Sequence, residues 1–370
     1  MVDLKGQYKK IKKAVNASIQ ETLDGTAFIK GPKVAAFQAH LEAYLGVKHV
    51  IPCANGTDAL QIAFMALGLQ PDDEVIVPAF TYVATAEVIA LLRLKPIMVD
   101  VDPKTFNITA KIVEKAITPR TKAIVPVHLF GQSVDMEGIM AVAEKHNLFV
   151  IEDNAQAIGA DFTFKNGEKR KTGTIGHIGC TSFFPSKNLG CYGDGGALMT
   201  NDSELAAKIT MIANHGQSRQ YYHDLVGVNS RLDALQAGIL DIKLAKLDRY
   251  SAARNKAAKT YTKAFKSIKD LETPVCAKNS NHVFHQYTLK IKKDKRAALQ
   301  AHLTEGGVPS MIYYPVPLYK QPAYAPYWDG KILPVTEQLC QEVLSLPMHT
   351  ELSPKVLKHI TDLVEAFFLK

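Results

Sequence analysis

The strongest constraint on this chain is an alternation that runs from about Thr57 to Gly238. Short apolar, β-branched runs end in proline or polar residues: Glu74–Val77, Ile97–Val101, Ala123–Val127, Phe149–Ile151, Thr181–Phe184 and Ala197–Thr200. Helical stretches lie among them, at Asp58–Gly68, Val83–Leu92, Lys111–Ala116, Met136–His146 and Asp202–His215. Apolar strands alternating with helices predict a mostly parallel sheet covered on both faces. In such sheets ligands sit beyond the carboxyl ends of the strands, so chemistry is sought there. The pattern changes after about Arg231. An amphipathic segment, Leu232–Leu247, leads into a basic helix at Ala252–Phe265. A mixed region follows, with a strand at His285–Ile291, a helix at Lys295–Glu305, a Pro- and Tyr-rich loop at Tyr313–Trp328 and a last helix at Pro354–Leu369. At 370 residues two domains are expected. We read a large α/β domain over residues 1–245 and a smaller α+β domain over 246–370, with the N-terminal helix packing back onto the second.

The chain carries 44 Lys and Arg against 36 Asp and Glu, a formal charge of +8. This excess permits nucleic acid, a membrane surface or an anionic metabolite as partner and selects none of them. It is clustered at Lys5–Lys13, Lys165–Lys171, Lys243–Lys269 and Lys290–Arg296. All four runs read as solvated surface, the third as a helix with charges spread round its outer face. No aromatic-interleaved stripe or nucleic-acid reader motif accompanies them. The five cysteines form no CxxC pair and no zinc-ligand spacing, so no metal is expected. Met1–Lys10 lacks the apolar core of a signal peptide, and Val83–Leu92 is too short to span a bilayer. The expectation is a cytoplasmic protein with no membrane or nucleic-acid partner.

Four segments carry candidate chemistry. Phe149–Ile158 is an apolar strand ending in Glu152 and Asp153, which face opposite sides of the sheet, so one of them points into the strand-end crevice. Gln156 lies three residues on. In Thr181–Gly196, Lys187 follows a strand among aromatic and small residues, where desolvation would lower its pKa and make the amine a nucleophile. The glycines at 190, 193, 195 and 196 precede a strand rather than a helix, which excludes a dinucleotide fingerprint or a P-loop. Cys53–Leu60 opens a helix, where Thr57 and Asp58 serve either as a cap or as part of a phosphate site. Tyr82 stands near a strand end and serves either core packing or stacking on a planar ring. A nucleophilic lysine, a strand-end carboxylate, a phosphate site and an aromatic platform are together what pyridoxal phosphate requires.

In order along the chain, six motifs resemble the DegT/DnrJ/EryC1/StrS family of sugar aminotransferases: Asn-Gly-Thr-Asp-Ala-Leu, Pro-Ala-Phe-Thr-Tyr-Val-Ala-Thr, Pro-Val-His-Leu-Phe-Gly, Glu-Asp-Asn-Ala-Gln-Ala, Ser-Phe-Phe-Pro-Ser-Lys-Asn-Leu-Gly and Gly-Asp-Gly-Gly-Ala. The likeness runs from about Asp3 to Ser345–His349. It implies the aspartate-aminotransferase fold (fold type I), with a mostly parallel seven-stranded sheet, and a homodimer with shared active sites. It implies that Lys187 bonds the cofactor and shuttles the proton, that Asp153 pairs with the pyridine nitrogen, and that Gln156 lies near the ring hydroxyl. Tyr82 matches the stacking aromatic, and Gly56, Thr57 and Ser182 the phosphate ligands. Asn229 matches a residue given to the phosphate across the dimer interface. Arg231, Tyr313 and Tyr314 match positions lining a nucleotide-sugar pocket.

A family branch that carries histidine in place of the lysine dehydrates its sugar, so Lys187 favours transamination. The motif around Lys187 most resembles the branch that aminates C3 of a UDP-linked 2-acetamido-3-oxo-glucuronate, with glutamate as donor, in surface-polysaccharide synthesis. Lys33 and Tyr319 depart from that branch at positions expected near the sugar. Two alternatives stand beside this reading: a dTDP-keto-6-deoxyhexose 3- or 4-aminotransferase, and a non-catalytic DNA-binding regulator.

Overall fold

Seven strands run side by side: β1 (His49–Cys53), β2 (Glu74–Pro78), β3 (Lys95–Val99), β4 (Thr121–Ile124), β5 (Phe149–Asp153), β6 (Ile178–Ser182) and β7 (Gly196–Thr200). The computed structural model describes residues 1–292 and 294–368. Lys293, in the fourth basic run, and Leu369, the expected end of the last helix, lie outside the described residues. The strands are ordered β1-β7-β6-β5-β4-β2-β3. From β2 to β6 all pairings are parallel. β7 alone is antiparallel to its neighbours, β1 and β6. The connection explains this. Phe183–Gly195 holds no helix, and a parallel return needs a crossover, usually helical.

β2 and β7 are buried at every position, as a sheet covered on both faces requires. Two helices, α1 (Leu4–Gly25) and α2 (Pro32–Leu45), precede β1, and one face of the sheet packs against α3 (Gly56–Leu67) and the helix Ser203–Ala213 through Ile62, Phe64, Ile209 and Ile212. The other packs against Ala110–Ala116 and Met136–His146 through Val113, Met136 and Ile139. Toward the C-terminus, a three-stranded antiparallel sheet, β8 (Leu271–Glu272), β9 (Tyr287–Ile291) and β10 (Val343–Leu346), has its own apolar cluster. Tyr261, Leu289, Leu299 and Ile360 join it to the helices Leu247–Phe265, Arg296–Glu305 and Pro354–Phe368.

Several expectations need correction. β1 was not anticipated. The segment Leu232–Phe265 breaks into two helices, Ala234–Leu244 and Leu247–Phe265. The Tyr313–Trp328 loop contains 3-10 turns at Leu318–Lys320 and Pro322–Tyr327. The N-terminal helix α1 (Leu4–Gly25) packs on Ala234–Leu244, through Ile11 and Val15 against Ile239. Before it, Met1 accepts a hydrogen bond from the Met348 N–H, and Lys10 of the helix pairs with Glu351. In the third basic run, Lys256, Lys259, Lys263 and Lys266 recur at helical spacing and share one exposed face. Lys243, counted with that run, is instead fully buried.

Candidate active site

The carboxyl ends of β5 and β6 and the start of α3 meet at one edge of the large sheet. Asp153 lies opposite Cys180, while Ser182 and Cys53 both lie opposite Gly196. This register brings the three sequence-predicted segments together. Gly196 has to be bare: a Cβ there would sit 2.4 Å from the Asn55 carbonyl.

The alternation rule sends Glu152 and Asp153 to opposite faces. Glu152 is fully buried away from the crevice. It accepts from His128 Nε2 at 2.8 Å and from the amides of Gly173, Ile175 and Gly176 at 2.6–2.8 Å. The Val134 N–H donates to His128 Nδ1, so Nε2 carries the ring proton toward Glu152. Burial pushes the Glu152 pKa up, but the hydrogen bonds from His128 and the two glycine amides outweigh it and hold the carboxyl below its ordinary range.

Asp153 faces the crevice. The Thr85 hydroxyl donates to its Oδ2 at 2.7 Å and the Ala155 amide to its Oδ1 at 3.1 Å. Its charge acts on Lys187. Burial pulls the Lys187 pKa down to about 8, and Asp153 works against that fall. Among the described residues the Lys187 ammonium has no hydrogen bond or ion pair. The backbone around it is fixed, with the Lys187 N–H donating to Phe184 and the Cys191 N–H to Phe183.

Gln156 accepts the Phe130 N–H at 2.8 Å and donates to the Tyr314 hydroxyl at 3.1 Å. Tyr314 therefore joins the Asp153 cluster. Burial raises its phenol pKa, Gln156 moderates the rise and the Asp153 charge adds to it. Tyr82, 56% exposed, lies 6.4 Å from Tyr314 between ring centroids. Tyr313, half-buried, turns to Gln286.

The start of α3 settles a choice that the sequence leaves open. Asn55, not Thr57, is the cap, its side chain accepting from the Asp58 amide at 2.8 Å. Gly56 and Thr57 at the first two helical positions keep free N–H groups, the arrangement that receives an anion. Gly56 also has to be bare, because a Cβ would meet Ser182 Cβ at 2.7 Å. Asn229 is exposed and Arg231 half-buried. The buried Ser230 between them donates to Asp58 at 2.6 Å and accepts from the Ala54 amide. Lys33 and Tyr319 have other partners: Lys33 pairs with Glu21 at 2.5 Å, and the buried Tyr319 donates to Glu337 at 2.7 Å.

Sequence reasoning missed Thr85, whose place at a helix start reads as a cap. It also missed His128 and the pair Asn188–His285. Asn188 donates to the Val283 carbonyl at 3.1 Å and lies 3.4 Å from His285. The five cysteines are all free thiols, and among the described residues no cluster suited to a metal is found. No described helix is long and apolar enough to cross a membrane.

These residues fit pyridoxal phosphate. An unpaired lysine amine with lowered pKa, a carboxylate held at both oxygens, two free helix-start amides and an open aromatic face converge on one crevice. A sheet of this order with such a site defines an enzyme of the pyridoxal-phosphate aminotransferase class. The DegT/DnrJ/EryC1/StrS aminotransferase family model matches residues 9–365, and the chain belongs to that family. It is 49% identical over 360 residues to the UDP-2-acetamido-2-deoxy-3-oxo-D-glucuronate aminotransferase of Pseudomonas aeruginosa, covering 97% of each chain. It is 47% identical to a Geobacillus stearothermophilus protein called a pleiotropic regulatory protein, covering 100% of this chain and 98% of that one. The crystal structure of Streptomyces venezuelae DesV in complex with a ketimine intermediate superposes with a TM-score of 0.95 at 37% identity, covering 100% of this chain and 98% of that one.

Proposed function

We propose that this enzyme transfers an amino group from L-glutamate to C3 of a UDP-linked 2-acetamido-3-oxo-glucuronate, in the cytoplasm, as a step in surface-polysaccharide synthesis. The observation that carries the reading is Lys187 opposed to Asp153 in the strand-end crevice of a chain 49% identical to a relative named for that substrate. In this reading residues 1–245 form the cofactor domain and 246–370 the small domain.

When bound, pyridoxal phosphate supplies an aldehyde that carries the amino group and a ring that withdraws electrons. Lys187 Nζ would anchor it and, as a free amine, would take the proton from the glutamate α-carbon and later return one. An amine with a pKa of about 8 exists in both forms near neutral pH, as an acid–base shuttle must. Asp153, oriented by Thr85 and Ala155, would hold a proton at the ring nitrogen. Gly56, Thr57 and Ser182 take the phosphate, Tyr82 covers the ring and Gln156 meets the ring hydroxyl. Arg231, Tyr313 and Tyr314 line the sugar pocket, and Asn229 reaches the phosphate of a second copy in a homodimer.

Borohydride reduction followed by peptide mass spectrometry tests the anchor, with label expected on Lys187 and absent in Lys187→Ala. A panel of UDP- and dTDP-linked 3- and 4-keto-sugars, read by consumption of the aminated cofactor's absorbance, tests the acceptor. Preference for a dTDP-keto-6-deoxyhexose overturns the substrate. The name of the Geobacillus relative favours one second reading, a regulator. Salt-sensitive duplex binding at physiological ionic strength, without turnover on any keto-sugar, would establish it.

A further inference from the structure

Lys243 is 1% exposed, yet among the described residues it has no carboxylate partner. Its ammonium donates to the Gly190 carbonyl at 2.5 Å and sits 4.3 Å from the centroid of the Tyr192 ring. Burial draws its pKa down to about 8, with Cys191 opposing the fall. A buried ammonium without a counter-ion costs stability, and apolar replacement of such groups is often neutral or stabilising. Stability alone therefore does not account for a lysine at this position.

The loop that it grips carries Lys187. At Gly190 the loop doubles back on itself: a Cβ there would lie 2.5 Å from the Pro185 carbonyl oxygen and 2.8 Å from that of Phe184. Lys187 is thus the tip of a closed turn, with Pro185 and Gly190 as its neck. Two residues on one face of the helix Ala234–Leu244 hold that neck and its continuation. Lys243 takes Gly190, and Gln236 accepts the Tyr192 amide at 2.8 Å. On the far flank, Asn188 is tied to Val283.

We propose that Lys243 is a positioning residue for Lys187, fixing the neck of its turn so that the amine meets the cofactor carbon in reacting geometry. The proposal rests on the assignment of Lys187 as the cofactor anchor. It predicts opposite changes in stability and catalysis. Lys243→Met removes the buried charge and keeps the volume, so the apo-protein melts at the same or a higher temperature than wild type. Misplacement of the anchor lowers kcat by roughly 10- to 100-fold with little change in the glutamate KM. The fraction of Lys187 labelled by borohydride in the holoenzyme falls, and the pH midpoint of the bound-cofactor absorbance moves.

Lys243→Gln keeps an N–H donor and recovers part of both signals. A lower melting temperature for Lys243→Met, or failure to fold, makes Lys243 a stability residue and overturns the proposal. So does unchanged labelling with an unchanged midpoint. Wild-type protein unlabelled at Lys187 refutes the anchor assignment instead, so the two failures are separable.

Discussion

The lowered pKa of Lys187 gives a prediction with a counter-intuitive sign. An ordinary lysine at 10.5 is neutral in roughly one molecule in 3,000 at pH 7. At about 8, Lys187 is neutral in about one in ten, a gain of some 300-fold in reactive amine. Competitive acylation of the apo-enzyme with isotopic acetic anhydride, read on the Lys187 peptide across pH 6–11, reports this fraction directly. The expected midpoint lies near 8. Because Asp153 favours the ammonium, Asp153→Asn moves the midpoint lower still. That variant should acylate faster at pH 7 while its transaminase turnover collapses, since the ring nitrogen has lost its carboxylate. A wild-type midpoint near 10, or an upward move in Asp153→Asn, refutes the reasoning.

Thr85→Val keeps the buried volume and removes the hydroxyl that holds Asp153 Oδ2, so kcat falls by about tenfold or more, checked by steady-state kinetics, while Thr85→Ser retains most of it. Gly56→Ala drives a methyl into Ser182 Cβ, so affinity for pyridoxal phosphate drops about tenfold or more, read by fluorescence titration of the apo-protein. Glu152→Gln breaks a buried network and costs about 3 kcal/mol of stability at neutral pH, measured by denaturant unfolding. The folded-state pKa of Glu152 lies below its unfolded value. Its contribution is therefore complete above the unfolded value of about 4.3 and is lost as pH falls through the folded one. Wild-type and variant stabilities converge over that acid window, and a gap that persists below it refutes the assignment.

What could be read before folding follows physical lines. Strands buried on both faces carry unbroken apolar runs, so five of the large-sheet strands stood out by composition and Thr181–Phe184 anticipated β6 a few residues late. β1 did not, because His49-Val-Ile-Pro-Cys53 is interrupted by a proline that only an edge strand accepts. Lys187 stood out because it lies among aromatic and small residues beside a glycine-rich loop, and Asp153 because it ends an apolar strand at the edge where ligands of such sheets sit. Asn229 and Arg231 came only from the family resemblance, since no local pattern distinguishes them. Lys243 was hidden inside a basic run: charge counting along a helix does not separate the one lysine on the inner face from those on the outer one. Tyr314 was expected only toward the sugar, and its bond to Gln156 depends on a contact 158 positions apart, which no window along the chain contains.

The antiparallel course of β7 has a consequence for how the enzyme can vary. Ser182 and Gly196 are register partners, so the segment bearing Lys187 leaves and re-enters the sheet at two residues that already face each other. It is a ring closed by the ladder rather than a link between distant elements. Lengthening any helix or hairpin elsewhere leaves that ring's circumference unchanged, so changes of length elsewhere reach Lys187 through the contacts that grip the ring, from Lys243 and Gln236 and with Val283. Segments that make none of these contacts, such as residues 318–327, can be remodelled without retuning the amine, whereas a single insertion between Phe183 and Gly195 would disturb the lysine first.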